Sequence, residues 1–259
     1  MRETGLHRPV WAIQMAGQIV LSFDVGIRNL AYCLARFGAD GRLEKLLSWD
    51  VVDVVAMAGS KAKTKGLGMQ KTVDFMIAAL KQIEEQQWRP HKVDSVVIEQ
   101  QLSKATLLKV LQFTIYTFAK VVFPEAKVSL CHAKHKLQAD MKPYGCTSTW
   151  RPKERTTRSR ILKPTKKQLK SRETQKRYRE NKERCTWMAS QVLEFLKQKP
   201  LQVEDKDVEG DQEVDCGVGD GKENVLDNFD VSKKKDDLAD CLIQAIVAVS
   251  HKDCPKNRP

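Results

Sequence analysis

Gln18-Ile-Val-Leu-Ser-Phe-Asp-Val-Gly26 is an apolar run of strand length, interrupted by one carboxylate and closed by a glycine. Burying an isolated charge in such a strand is expensive, so Asp24 must be paired, neutral or metal-bound, unless it caps the turn at Gly26. Residues 29–36 (NLAYCLAR) follow within a few positions, Gly38-Ala-Asp-Gly41 makes a turn, and residues 43–55 form a third β-rich run. Three strands joined by short turns read as an antiparallel meander. Val73, Met76, Ile77, Leu80 and Ile83 then recur at helical spacing, with an end near Trp88-Arg-Pro90. Residues 93–100 (VDSVVIEQ) are a short strand of the buried type, and residues 127–131 are a fifth strand. Between them, residues 102–120 carry two apolar seams. One is Leu108, Leu111, Ile115 and Phe118; the other is Leu107, Val110, Thr114, Thr117 and Val121. A helix apolar on two sides is either central in the fold or part of a subunit interface. The order βββαβαβ followed by two helices predicts an α/β fold, a mixed five-stranded sheet flanked by helices.

The chain has 259 residues and a formal net charge of +12, unevenly spread. Residues 151–184 hold 15 Lys and Arg against four acids, a net of +11, while residues 201–230 hold 11 acids against two bases, a net of −9. Within the basic block, residues 150–170 read as an exposed loop containing Arg155, Arg158, Arg160, Lys166 and Lys167. From about Lys170 the pattern becomes helical, with Cys185, Met188, Val192 and Phe195 on one face and an end before Pro200. So many cations suit contact with nucleic-acid phosphates. The acidic stretch has few large apolar residues and no period, so residues 201–232 read as a disordered or loosely held insertion, either a solvated loop with no role or one that competes with DNA for the basic block. Residues 18–251 form the domain, residues 1–17 an N-terminal extension without an added DNA-binding module, and residues 252–259 a tail.

No apolar run reaches the roughly 18–20 residues needed to span a bilayer, and residues 1–18 lack the apolar core of a secretory signal. Seven Cys form no C-x-x-C pair and leave one over, which argues against a disulfide framework and for a reducing compartment. Cys131, His132 and His135 have no second ligand pair at zinc spacing, and no phosphate-binding glycine loop is present, so neither structural zinc nor a nucleotide cofactor is expected.

Glu99 ends the second apolar strand, where it could face solvent. Asp237 and Asp240 are harder to dismiss, because they lie three apart on an otherwise apolar helix over residues 236–249 and so share one face. Gln244 and His251 fall on roughly the same stripe. Capping explains Asp236 and Asp237 but not Asp240, one turn further in. Strand-end acids and a helical pair can converge on two divalent cations, for which carboxylate oxygens and water are the preferred Mg²⁺ ligands. Such a pair can activate water and stabilise the leaving oxygen in phosphodiester hydrolysis.

Phe23-Asp-Val-Gly-Ile-Arg-Asn-Leu-Ala-Tyr-Cys33, Val97-Ile-Glu-Gln-Gln101 and Lys234-Lys-Asp-Asp-Leu-Ala-Asp-Cys-Leu242 resemble the three acidic motifs of RuvC-like Holliday junction resolvases. The resemblance is strongest to the branch of the poxvirus and yeast mitochondrial enzymes. It implies an RNase H-like fold, a homodimer and paired Mg²⁺-dependent nicks across a four-way junction, leaving 5′-phosphate and 3′-hydroxyl ends. It also implies two Mg²⁺ per site, with Mn²⁺ able to substitute, held by Asp24, Glu99, Asp237 and Asp240, with Asp236 pointing away. At least one of Lys233, Lys234 and Lys235 is expected to touch the backbone of the strand to be cut, the alternative being a solvated lysine run at a loop end, and the helix over residues 102–120 would serve as the dimer helix. Competing readings are an RNase H-like nuclease for flaps or RNA–DNA hybrids, and a non-catalytic protein that binds branched DNA. The expected setting is intracellular, where DNA is replicated or recombined, whether viral factory, nucleus or mitochondrion.

Overall fold

The computed structural model describes residues 17–61, 66–102, 104–146, 150–152, 166–198 and 229–250. Five strands form one sheet: β1 (Gln18–Asp24), β2 (Leu30–Phe37), β3 (Leu43–Val52), β4 (Ser95–Glu99) and β5 (Lys127–Cys131). Their spatial order is β3-β2-β1-β4-β5, with β1–β2 and β2–β3 antiparallel and β1–β4 and β4–β5 parallel. The meander and the mixed sheet therefore stand as the sequence predicts. Gly26 is needed where β1 ends, because a Cβ there would lie 2.3 Å from the Asn29 carbonyl oxygen. Gly41 turns β2 into β3 with φ +76°, a conformation that glycine adopts at no steric cost.

Helices cover both faces. On one face are α1 (Val54–Met57), α2 (Met69–Ile83) and α3 (Thr106–Val122), packed on Leu21, Phe23, Tyr32, Leu34, Val96 and Ile98. Residues 54 and 55, expected to end the third strand, instead begin α1, whose first turn is capped by the Asp53 carboxylate accepting from Val55 and Ala56 N–H. After α2 a five-residue π-helical turn (Glu84–Trp88) carries Trp88 into the core, edge-on to Phe23 and Tyr32. In α3, Leu111, Ile115 and Ala119 are buried, whereas Phe113 is 51% and Val121 74% exposed. The outward stripe thus runs through Phe113, Thr117 and Val121, which differs from the predicted second seam by including Phe113.

The opposite face holds α4 (Ala133–Lys136), α5 (Lys166–Gln198) and α6 (Lys235–Ser250). Ten residues of α6 are buried, against Val20, Ala31, Cys33, Ala35, Trp49 and Val97 of the sheet. The small side chains of β2 let the helix approach closely, and each fully buried aliphatic side chain contributes about 1.5–3 kcal/mol. Two expected boundaries shift. The basic loop ends by Lys166, since residues 166–170 already form the first turns of α5; Lys and Gln are good helix formers even without an apolar seam. The acidic insertion ends before Phe229, which is buried and stacks on Trp49 at 5.2 Å between ring centroids. Arg155, Arg158, Arg160, His251, residues 1–16, residues 201–228 and the tail lie outside the described residues, as do the side chains of Lys166 and Lys167.

Candidate metal centre and nucleic-acid interface

Strand parity brings the first two carboxylates together. Side chains two apart on a strand share a face, so Asp24 lies on the α6 side with Val20, and Glu99 lies there with Val97. The parallel register pairs Phe23 with Ile98, which sets Asp24 beside Glu99 at the C-terminal ends of β1 and β4. From above, α6 adds Asp237 and Asp240. The helix is held in place by Gln244, fully buried, whose side-chain amide donates to the Phe23 carbonyl at 3.2 Å and the Val97 carbonyl at 3.1 Å. Trp49 Nε1 donates to the Leu238 carbonyl at 3.0 Å and ties α6 to β3. All four acids line one open cavity of about 460 Å³, and Asp236 is not among its lining residues.

Among these acids sits a residue that the sequence reading missed. Lys136, in α4, is only 2% exposed, and its Nζ lies 3.3 Å from Glu99 Oε1 and 3.3 Å from Asp240 Oδ2. Burial alone would push its pKa down, but Asp24, Asp240 and Glu99 together outweigh burial and raise it, so Lys136 is charged. Burial, then the hydrogen bond and negative charge of Glu99, push Asp24 well above the usual carboxylate range. For Glu99, burial acts upward, yet hydrogen bonding from Asp24 and the charge of Lys136 hold it below that range. The two shifts run in opposite directions, so without a bound cation a proton on Asp24 beside an ionised Glu99 is favoured, with the Lys136 ammonium as counter-charge.

The outer rim is built on α5. Lys182 ion-pairs with both Asp236 and Asp237, the latter at 3.5 Å. Burial acts upward on both acids. At Asp236 the Lys182 contact outweighs it and lowers the pKa; at Asp237 burial and neighbouring Asp236 raise it. Of the three lysines at the start of α6, Lys233 and Lys234 precede the helix and are exposed. With its amide oriented to satisfy both neighbours, Asn29 accepts from Lys234 Nζ at 3.3 Å, at the rim of the cavity. Lys235 instead turns toward Asp230 and the Phe229 ring.

Among the described residues, no three His, Cys, Asp or Glu side chains are drawn close enough to form a ready cation cage. The donor chemistry nevertheless fits a hard divalent ion: four carboxylates face one water-accessible cavity, and Lys136 supplies the positive charge between two of them. Among the described residues no helix is long and apolar enough to cross a membrane.

The solved structures that resemble this chain include the yeast mitochondrial Holliday junction resolvase Ydc2, with 14% identity, 93% of this chain and 82% of that chain covered, and a TM-score of 0.50. Fowlpox virus resolvase with its Holliday junction DNA has 15% identity, 90% and 98% coverage and a TM-score of 0.43. T. thermophilus RuvC with a Holliday junction substrate has 12% identity, 90% and 94% coverage and a TM-score of 0.44. No curated protein sequence matches. The family described as mitochondrial resolvase Ydc2 / RNA splicing MRS1 matches residues 20–254, nearly the whole chain with all three acidic motifs, and the chain, which has the RNase H-like fold, belongs to that family.

Proposed function

We propose that the protein is a structure-selective endonuclease that resolves four-way DNA junctions by paired hydrolytic nicks, leaving 5′-phosphate and 3′-hydroxyl ends. The observation that carries this reading is the meeting of Asp24, Glu99, Asp237 and Asp240 around one open cavity, from two parallel strand ends and one helix. Two divalent cations, Mg²⁺ by donor type, would be held by these acids and would supply water activation and charge neutralisation at the phosphate. Gln244 and the sheet fix the acids, Lys182 holds Asp237 at the rim, and exposed Lys233 and Lys234 offer cations to the strand backbone. A homodimer, with the Phe113–Thr117–Val121 stripe of α3 at the interface, would supply two cavities for two cuts. The setting would be an intracellular site of DNA replication or recombination.

Asp24→Asn and Asp240→Asn should each remove junction cleavage in Mg²⁺ by more than the roughly 10–100-fold typical of losing an outer-shell partner of a metal, while junction affinity survives. Undiminished cutting by both variants would overturn the site. The family description also names an RNA-splicing protein, and a second reading is nucleic-acid binding without cleavage. Wild-type protein that binds a four-way junction but never nicks it, a flap or a hybrid duplex in Mg²⁺ or Mn²⁺ would establish that reading instead.

A further inference from the structure

The exposed N-terminal part of α5 carries Arg172, Lys176, Arg177 and Arg179, and in their midst one aromatic side chain. Tyr178 is 63% exposed, so core packing does not account for it. Lys182 Nζ lies over its ring, 5.3 Å from the centroid. Four residues apart, the two side chains stand one above the other on the helix. Both line the carboxylate cavity, and both also line an adjoining groove of about 450 Å³ with Thr174, Gln175 and Arg179. Because Lys182 is paired with Asp236 and Asp237, the ammonium is held at the border between groove and cavity.

An exposed ring among cations offers a nucleotide two matched surfaces. The ring stacks on a base face without regard to sequence, and the cations take the phosphates. In an intact duplex both faces of each base are hidden in the stack. Only where stacking is broken, as at a branch point, does a free face exist for the ring to cover.

We propose that Tyr178 and Lys182 form a nucleotide subsite at the edge of the carboxylate cavity, in which Tyr178 stacks on a base unstacked at the branch and Lys182 binds the adjoining phosphate. This rests on the nuclease reading above and deepens it, since it makes α5 a reader of broken stacking. Tyr178 is here a positioning residue, placing the strand relative to the acids without taking part in hydrolysis.

The test uses the full chain in EDTA with a four-way junction bearing 2-aminopurine at the branch, and a linear duplex bearing it at the matching position. Wild type should change the probe's emission in the junction and not in the linear duplex. Tyr178→Ala should lose that change and bind the junction about 5- to 100-fold more weakly. Tyr178→Phe and Tyr178→Trp should restore both. The salt dependence of binding should be unchanged in Tyr178→Ala, whereas Lys182→Ala should lower its slope by about one. Emission and affinity in Tyr178→Ala equal to wild type would overturn the subsite, as would a Tyr178→Phe variant that fails like Tyr178→Ala. A wild type that binds no junction would overturn the nuclease reading itself.

Discussion

Lys136 has the residue type least suited to its surroundings and the partners best suited to its charge. Long ammonium side chains are almost never fully buried unless paired, and here Glu99 and Asp240 flank the Nζ. Without a bound cation, removing the ammonium leaves these carboxylates facing one another uncompensated, a change that typically costs about 3–5 kcal/mol. Lys136→Ala should therefore lower the unfolding temperature strongly in EDTA, and added Mg²⁺ should recover part of the loss. An equal loss with and without Mg²⁺, measured by calorimetry, would show that Lys136 acts through packing alone. Asp24 and Asp240 were legible because each interrupts an apolar pattern, whereas Glu99 at a strand end and Asp237 at a helix start stood out only beside them. Lys136 was not, because Ala133-Lys-His-Lys136 reads as a polar stretch like any surface turn. Its place follows only from the parallel register that sets Cys131 against Glu99, so that the chain leaving β5 passes the acid.

Among the elements, α6 does most to assemble the site. Its first turns present Asp237 and Asp240, and one turn further Gln244 bonds to the carbonyls of β1 and β4. Gln244→Ala removes both bonds and opens a void, and should cost about 2–4 kcal/mol. Because the helix also places Asp240, junction cleavage by Gln244→Ala should fall mainly in kcat, with KM little changed. A loss of stability with kcat intact would mean that Asp240 is placed without Gln244. The helix α6 was plain in the sequence as a nearly unbroken apolar run, and α2 and α3 were plain from their periodicity. By contrast, α1 was hidden at the end of a β-rich run, where only the Asp53 cap marks the change. The first turns of α5 were hidden as well, since their composition favours a helix but offers no apolar period in the sequence.

In the molecule as a whole, the two faces of the sheet have separate tasks. One carries the acids under α4, α5 and α6; the other packs α2 and α3 and leaves Phe113 and Val121 outward. A Phe113→Asp, Val121→Asp double variant should sediment as a monomer, retain its fold and lose coordinated double cutting of a junction. Unaltered sedimentation would place the interface elsewhere. The antiparallel β1–β3 meander was readable from local turns, but the order β3-β2-β1-β4-β5 was not, because parallel neighbours are joined through helices that leave no register signal in the strands. The same distance along the chain has a consequence during synthesis. Gln244 and Phe23 meet across 221 positions, so a ribosome that has made everything through α5 has made only two of the four acids around the cavity, Asp24 and Glu99. The cavity would be completed in one late step, when α6 emerges and docks, and under the proposed function fragments that stop short of it would not cut DNA.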